Sequence, residues 1–207
     1  MKNYHEQIIE SVAAVMTDSF LEDPGSVAML DGIRNPEDLM QAHSLLHSAH
    51  AFQTRSLNIL DNDPRAFLVG YDSLHENKAK ERNLQIKIIL KTFSCIGLKN
   101  LRRMVTNSRR ISKVLNLSWH RDYIKGRHYR IKIIAVDKAL RGSGAFRRLI
   151  APVLEYAERE KIPVVLETLN PTNVGLYEHF GFTLVKTITH PGIEIKQFCM
   201  IRYPEEA

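Results

Sequence analysis

Cysteine is scarce in this sequence of 207 residues, and no run of apolar residues approaches the length of a membrane span. The two cysteines, Cys95 and Cys199, lie far apart and match no metal-ligand spacing. A spanning helix needs roughly 18 consecutive apolar residues, so a membrane is not expected as a partner. Residues 1–16 lack the apolar core of a signal peptide. Because disulfides form mainly in oxidising compartments, we expect a reduced protein in the cytoplasm.

The composition is that of an ordinary globular protein, with 44% hydrophobic and 25% charged residues. The length is sufficient for one substantial hydrophobic core and short for two independent ones. The sequence contains no internal repeat and no low-complexity segment. We therefore predict a single domain over residues 1–207.

Charge is distributed unevenly along the chain. Residues 1–77 contain 4 Lys and Arg against 12 Asp and Glu, whereas residues 78–132 contain 16 against 2. Three interpretations of the basic segment stay open: a solvated helical face, attraction of a polyanionic cofactor, and attraction of nucleic acid. No zinc-finger spacing, RNA-recognition motif or clear helix-turn-helix supports the third. Nucleic acid is therefore not expected as a partner.

The first third of the chain is predicted to be mainly helical. Apolar residues at helical spacing indicate a helix over residues 5–20, which the run Asp23-Pro24-Gly25 breaks. A second helix is predicted from Pro36 to about Arg55, with Asn35 as its N-cap.

Three histidines of this second helix, His43, His47 and His50, are spaced so that they can share one face. A metal site would be one use of three imidazoles, but no carboxylate or cysteine joins them nearby. We favour polar residues on a partly exposed helix and predict no metal ligands in the chain.

The middle of the chain contains a hairpin signal and a long charged stretch. Asp61-Asn62-Asp63-Pro64 is a turn sequence between two predicted strands, Ser56–Leu60 and Ala66–Tyr71. Residues 76–115 predict two helices broken near Gly97.

The last third gives the clearest pattern, an alternation of strands and helices. The order strand, helix, strand, helix, strand, strand indicates a mixed α/β sheet. The predicted elements are His128–Val136, Gly144–Glu160, Pro163–Thr168, Thr172–Phe180, Thr183–Thr189 and Glu194–Arg202.

A glycine-containing turn joins the first strand and helix of this alternation, with the sequence V-D-K-A-L-R-G-S-G from Val136 to Gly144. Glycines let the backbone fold tightly and approach a ligand closely. Consecutive amides at a helix start bind phosphate oxygens. The turn by itself is equally compatible with an ordinary connection, with Arg141 as a solvated residue.

A second run follows the next strand, with Asn170, Asn173, Tyr177, Gly181 and Phe182 at fixed spacing. In isolation, Tyr177 would be interpreted as a core residue. Taken together, the two runs resemble the acetyl-CoA-binding motifs of the GCN5-related N-acetyltransferases. That family has V-D-P-x-x-[QR]-G-x-G-x-[GA] at the cofactor loop and N-x-x-N-x-x-x-Y-x-x-x-G-F after the next strand. The resemblance covers about residues 128–202.

The resemblance implies a mixed, mostly antiparallel sheet flanked by helices, with a splayed parallel strand pair that binds acetyl-CoA. Amides of the loop would hold the pyrophosphate, and backbone groups of the preceding strand would pair with the pantetheine arm and polarise the acetyl carbonyl. Side chains after the next strand would contact the cofactor as well. The residues concerned are Ile134, Val136, Arg141, Gly142, Ser143, Gly144, Ala145, Phe146, Asn170 and Asn173.

Tyr177 would protonate the leaving thiolate as a general acid, and the amine would attack the thioester directly, without a metal. Glu167 is the candidate general base, although a Glu at a strand end is often only an ion-pair partner. His120 and His128 are weaker candidates. Phe146 departs from the family pattern, which has Gly or Ala at this position. Its ring must therefore point away from the phosphates or narrow the site.

Two functions from different classes remain open. The leading prediction is an acetyl-CoA-dependent N-acetyltransferase that acts on a primary amine of a small molecule or a protein. The alternative is a non-catalytic acyl-CoA-binding sensor of the same fold, which Phe146 favours and Tyr177 opposes. The acidic N-terminal third favours a cationic acceptor. The predicted partners are acetyl-CoA and this amine; a homodimer is compatible with the sequence.

Overall fold

A computed structural model of the chain describes residues 3–96 and 98–205. The predicted break near Gly97 lies outside the described residues. The described elements are α1 Tyr4–Leu21, α2 Pro24–Leu30, α3 Pro36–Gln53, β1 Leu57–Leu60, β2 Asp63–Asp72, α4 Lys78–Cys95, α5 Leu98–Ile111, β3 Tyr129–Val136, α6 Ala145–Glu160, β4 Val164–Thr168, α7 Thr172–His179, β5 Thr183–His190 and β6 Ile193–Arg202.

The six strands form one sheet in the order β1-β2-β3-β4-β6-β5. All neighbouring pairs are antiparallel except β3 and β4, which are parallel. The connection between these two strands runs through α6, as expected for a parallel pair. The predicted fold class, a mixed and mostly antiparallel sheet flanked by helices, is therefore confirmed.

Local signals explain how the first helices begin. Asn3 and Glu6 form a reciprocal capping box at the start of α1. Asp23 accepts hydrogen bonds from the amides of Gly25 and Ser26, so the predicted break is also the start of the short helix α2. Asn35 precedes α3, but its backbone is left-handed and its side chain makes no capping hydrogen bond. The predicted cap is wrong in that respect.

The predicted hairpin is present as β1 and β2. Asp61 and Asn62 both have positive φ, at 49° and 59°, which is typical of a two-residue turn between antiparallel strands. The two predicted helices of the basic segment are present as α4 and α5.

Two layers of side chains cover the sheet. On one face, α6 and α7 bury a cluster that includes Leu149, Ile150, Leu166 and Met200. On the other face, α1 and α3 pack on β2 and β3, and the buried Trp119 packs separately on Val165, Cys199 and Ile201. Burial of large apolar side chains in both layers is the main source of stability. No helix within the described ranges is long and apolar enough to cross a membrane.

Two of the three histidines of α3 contact α4. His43 Nε2 is 2.8 Å from Thr92 Oγ1, and His50 Nε2 is 3.1 Å from Glu81 Oε1. Burial, followed by the nearby Lys132, lowers the pKa of His47 to about 4. Within residues 3–96 and 98–205, no group of three or more His, Cys, Asp or Glu is arranged to hold a metal ion.

Candidate active site

The central feature of the sheet is a gap between β3 and β4. The two strands pair only at their first residues, Tyr129 with Val164 and Arg130 with Val165. β3 continues to Val136 and β4 to Thr168 without further pairing between them. The facing edges of the two strands therefore present backbone groups that the sheet does not use.

The register of β3 shows which of its backbone groups face the gap. The amide of Asp137 donates to the carbonyl of Arg65 at 2.8 Å, on the β2 side. In an antiparallel ladder the hydrogen-bonding direction alternates from residue to residue. The backbone groups of Val136 and Ile134 therefore point away from β2 and into the gap. This is the direction that pairing with an extended ligand requires.

A β-bulge interrupts β3 lower down. Val69 pairs with Ile133 and Gly70 with Ile131, so that Lys132 has no partner of its own on β2. A bulge bends the strand that carries it and increases its twist. It lies two residues after the last pair with β4, where the two strands begin to diverge.

An open loop connects β3 to α6. The Asp137 carboxylate accepts from the amide of Ala139 and starts a 3-10 turn over Lys138–Leu140. Gly142 and Gly144 both have φ of +78°, a conformation that favours glycine. A Cβ built on either glycine would meet nothing within 4 Å beyond its chain neighbours. The loop therefore has open space on the side where a ligand would approach.

Not all amides of this loop are available to a ligand. Those of Arg141 and Ser143 donate to the carbonyls of Lys138 and Leu140, at 3.2 and 3.3 Å. The first amide to bond back along α6 is that of Arg148, to Gly144. Amides at a helix start have no intrahelical acceptor. Among the described residues, none accepts from the unused amides, which are those of Gly142, Gly144, Ala145, Phe146 and Arg147.

The ring of Phe146 turns away from the loop and onto the aromatic side chains of α7. Its centroid lies 6.1 Å from that of Tyr177 and 5.3 Å from that of Phe180. Tyr177 in turn contacts Phe182 at 5.8 Å. The structure thus brings the two sequence motifs into contact through their aromatic residues.

Tyr177 is only 8% exposed, and burial raises its pKa to about 12. Its hydroxyl therefore keeps its proton at neutral pH, as a general acid requires. Burial is the only cause of this shift, and no hydrogen bond contributes to it.

Asn170 and Asn173 shape the turn from β4 into α7. Asn170 Oδ1 accepts from the amide and the hydroxyl of Thr172, at 3.0 and 2.8 Å. Asn173 Nδ2 donates to the hydroxyl of Thr168 at 3.4 Å. These contacts fix the start of α7 and therefore the position of Tyr177, whether or not either amide group also contacts a ligand.

Glu167 is held on both of its carboxylate oxygens. Arg130 Nη2 is 2.6 Å from Oε1, and the indole of Trp119 donates to Oε2 at 2.9 Å. The side chains of Arg130 and Glu167 are 12% and 17% exposed. The ion pair joins Arg130, which belongs to the last pair of β3 with β4, to Glu167, which is two residues beyond that pair on β4.

Glu167 and Tyr177 lie on opposite faces of the sheet. Side chains alternate along a strand: Leu166 belongs to the core layer that contains Tyr177, whereas Val165 packs with Trp119 on the other face. Glu167 shares the face of Val165. A ligand in the gap would thus meet the carboxylate from one side and the phenol from the other.

Two histidines near Arg130 are not evident from the sequence motifs. His120 is 6% exposed, and its ring lies 4.8 Å from that of His128. Burial, followed by the charge of Arg130, lowers the pKa of His120 to about 4. The sequence signal for this group was the aromatic and charged loop before β3, but its spacing does not reveal which strand it contacts.

The turn between α1 and α2 is a further element that sequence reasoning missed. Glu22 forms an ion pair with Lys138 at the end of β3. A Cβ on Gly25 would lie 2.2 Å from the side chain of Leu169, at the end of β4. This turn therefore contacts both strands where they are furthest apart. Burial raises the pKa of Asp23 in the same turn.

Two cavities lie beside this gap rather than in it. The larger, of about 1070 Å³, runs between the edge strand β1 and α6. A second, of about 500 Å³, lies at the start of β3 and is lined in part by Arg130 and His120. None of the cofactor-binding residues predicted from the sequence lines either cavity.

Comparison with known proteins gives consistent results. Residues 111–182 match the acetyltransferase (GNAT) family. An uncharacterized N-acetyltransferase of Schizosaccharomyces pombe is 34% identical over 74 residues, which are 35% of this chain and 30% of that protein. The chain thus matches less than a third of the length of this curated relative.

Solved structures extend the similarity to nearly the whole chain. Arylalkylamine N-acetyltransferase 2 from Aedes aegypti aligns with a TM-score of 0.59 at 15% identity, covering 98% of this chain and 95% of the other. An N-acetyltransferase from Staphylococcus aureus aligns with a TM-score of 0.56 at 15% identity, covering 95% and 96%. At this level of identity the similarity concerns the fold.

Proposed function

The chain belongs to the acetyltransferase (GNAT) family, and on this premise we propose that it transfers the acetyl group of acetyl-CoA directly to a primary amine. The observation that carries the proposal is the gap between β3 and β4, with unused amides where α6 begins. The family match, the open strand edges and the unused amides at a helix start are three different properties that suit one elongated, polyanionic thioester.

The described residues fit acetyl-CoA in two places. The amides of Gly142, Gly144, Ala145 and Phe146 would bind the pyrophosphate, helped by the positive end of the α6 dipole. Backbone groups of Ile134 and Val136 would pair with the pantetheine arm as an added strand would. The amides of Arg141 and Ser143 already donate within the loop. These two residues would therefore contribute through their side chains or by fixing the shape of the loop.

Transfer itself requires a nucleophile, a polarised carbonyl and a proton for the leaving group. An amine approaching from the Glu167 face would attack the thioester carbonyl, and an amide of β3 at the gap would stabilise the oxyanion. Tyr177, protonated at neutral pH, would give its proton to the departing thiolate. Glu167 would take a proton from the amine through water; Arg130 and Trp119 hold its carboxylate in position.

The proposal is tested by ligand binding and by turnover. Acetyl-CoA and free CoA should both raise the melting temperature, because a ligand that binds only the native state stabilises it by mass action. A thiol-release screen over a panel of amines then identifies the acceptor. An unchanged melting temperature at millimolar acetyl-CoA would contradict the proposed function.

One observation favours the alternative, an acyl-CoA sensor without catalysis. The Phe146 ring packs on Tyr177, and Tyr177 as a whole is only 8% exposed, so that access to the phenol would depend on the position of this ring. Tight acetyl-CoA binding without thiol release for any amine would support the sensor. We place either activity in the cytoplasm, because Cys95 and Cys199 are both free thiols.

A further inference from the structure

The second cavity, of about 500 Å³, opens on the face of the sheet that carries Glu167. Arg130 joins the two, because it lines the cavity and holds the Glu167 carboxylate at 2.6 Å. A molecule in this cavity would therefore lie next to the candidate base and on the side from which an amine would reach the gap.

The lining of this cavity is strongly cationic. Lys78, Arg121, Lys125 and Arg130 contribute to it, against Glu76 as the acidic member. Arg130 is neutralised by Glu167, and Lys125 donates to the Arg121 carbonyl at 3.0 Å. Neither Lys78 nor Arg121 is in an ion pair with any carboxylate of the described chain. A concave surface with an excess of positive charge attracts anions.

Two buried polar groups at the cavity lack partners. His120 is 6% exposed, and its Nδ1 has no hydrogen-bond partner among the described residues; the same holds for Nε of Arg130. Buried polar groups in native proteins are nearly always hydrogen-bonded, and exceptions often mark a ligand or water site. The cavity thus combines excess positive charge with unused hydrogen-bonding capacity.

The phosphates of the cosubstrate do not account for this charge. They would lie at the loop after Val136, whereas Arg130 is six residues earlier on the same strand. At about 3.3 Å per strand residue this is roughly 20 Å. The cavity is therefore at the opposite end of β3 from the proposed pyrophosphate site.

We propose that this cavity binds a carboxylate or phosphate group of the acceptor, so that the substrate is an amine that also carries an anionic group. The inference rests on the proposed function and specifies its substrate class. The ammonium group would face Glu167, and the anion would contact Lys78, Arg121 and the free edge of Arg130.

The experiment measures binding with two matched pairs of probes, 4-aminobutanoate against butylamine and O-phosphoethanolamine against ethanolamine. Ligand-observed NMR titration at low ionic strength detects weak binding without turnover, and low salt preserves the electrostatic contribution. We expect the anionic member of at least one pair to bind on the order of tenfold more tightly than its neutral-tailed partner, since a hydrogen-bonded charge pair is of that strength. The better pair distinguishes carboxylate from phosphate.

Paired substitutions locate the site. Lys78→Ser with Arg121→Ser should remove the preference for the anionic probe, and both residues are exposed enough for the fold to tolerate the change. The control pair, Lys91→Ser with Arg109→Ser, removes the same charges from exposed positions outside the cavity and should leave the preference intact.

Acetyl-CoA affinity is measured on the same variants, which separates this inference from the proposed function. Equal binding of both members of each pair, or a preference that the cavity variant retains, would overturn the inference. A parallel loss of acetyl-CoA affinity in the cavity variant would also overturn it, by assigning the charge to the cosubstrate. Failure of the proposed function would instead appear in wild-type protein, as no binding of acetyl-CoA.

Discussion

The two strand–helix connections and the polar cluster around Glu167 are constructed by different means. The connections at residues 137–144 and 169–171 use consecutive residues, so each carries its conformation within its own sequence. The cluster joins Trp119, Arg130 and Glu167 from three separate elements through side-chain contacts. The first region is therefore recognisable from a motif, whereas the second exists only once the sheet has formed. The predictions below test whether cofactor binding and acceptor chemistry divide along the same line.

The largest effect is expected from Gly144→Val, which should abolish acetyl-CoA binding. Valine is strained at φ of +78° and places methyl groups where the loop amides face the ligand. Isothermal titration calorimetry measures the affinity. Gly192→Val is the matched control, because Gly192 has φ of +75°, equally open surroundings and a position in the β5–β6 turn.

Both variants should keep the wild-type circular dichroism spectrum, since neither added side chain enters the core. If Gly144→Val binds acetyl-CoA as well as the control does, the phosphates lie elsewhere and the motif region loses its proposed role.

The same contrast, between local connections and contacts of distant residues, explains which parts of the structure could be predicted from the sequence. The strand, loop and helix from Tyr129 to Glu160 agree with their predicted positions to within a residue, because apolar periodicity and two glycines specify them locally. The hairpin of β1 and β2 was equally predictable from Asp61 and Asn62. The two strands that border the gap were predicted from their apolar patterns, and the family resemblance implied that they form a splayed parallel pair.

The environment of Glu167 could not be predicted in this way. Its two partners lie 48 and 37 residues away, and nothing in their local sequence relates them to β4. The contact of Phe146 with Tyr177 was likewise invisible, because the motif predicts the backbone but not the direction of a ring that the family usually lacks. The cap at Asn35 failed for a local reason, the left-handed backbone that turns its side chain away.

The second-largest effect concerns Tyr177→Phe. If the hydroxyl protonates the thiolate, single-turnover acetyl transfer should slow by at least about 100-fold, the lower end of general-acid assistance. The Michaelis constant for acetyl-CoA should change little, because the lost interaction develops only with negative charge on sulfur. Stopped-flow or quench measurements with an identified acceptor avoid a limit set by product release.

Tyr203→Phe serves as control, since Tyr203 is 54% exposed and follows β6. A wild-type single-turnover rate for Tyr177→Phe would make Tyr177 a packing residue and would assign the proton to water or another group.

Glu167→Gln tests the polar cluster around Glu167. We expect a smaller effect, on the free energy of unfolding and on the single-turnover rate. The amide oxygen can still accept from Trp119, but the ion pair is lost and the guanidinium of Arg130 stays nearly buried. Unfolding should become easier by about 1–3 kcal/mol, the cost of leaving such a donor unsatisfied. Denaturant titration measures the change. A further loss of single-turnover rate with unaltered acetyl-CoA affinity would assign a catalytic contribution in addition.

Asp122→Asn is the reference for an exposed ion pair. Asp122 contacts Lys186 at 3.0 Å with both side chains well exposed, and such pairs contribute about 0–1 kcal/mol. Equal destabilisation by the two variants would show that the Arg130–Glu167 pair is no more than a surface contact.

The smallest effect is a pH dependence that arises from His120, near Arg130, and from His47 on α3. Burial lowers the pKa of each to about 4 in the folded protein, against an ordinary value of 6.5 in the unfolded chain. Between these values the unfolded chain binds more protons than the folded one, so the free energy of unfolding falls as the pH falls from 6.5 to 4.

Replacing either histidine by Gln should reduce proton uptake on unfolding by up to about one proton in this window. The reductions should add in the double variant, because the two residues lie in different contacts. Denaturant titrations at half-unit pH intervals give the slope. A His120→Gln slope equal to that of the wild type, beside a reduced slope for His47→Gln, would mean that His120 is already protonated in the folded protein. The cavity that His120 lines would then carry one more positive charge than the structure indicates, while the loop at residues 137–144 would be unaffected.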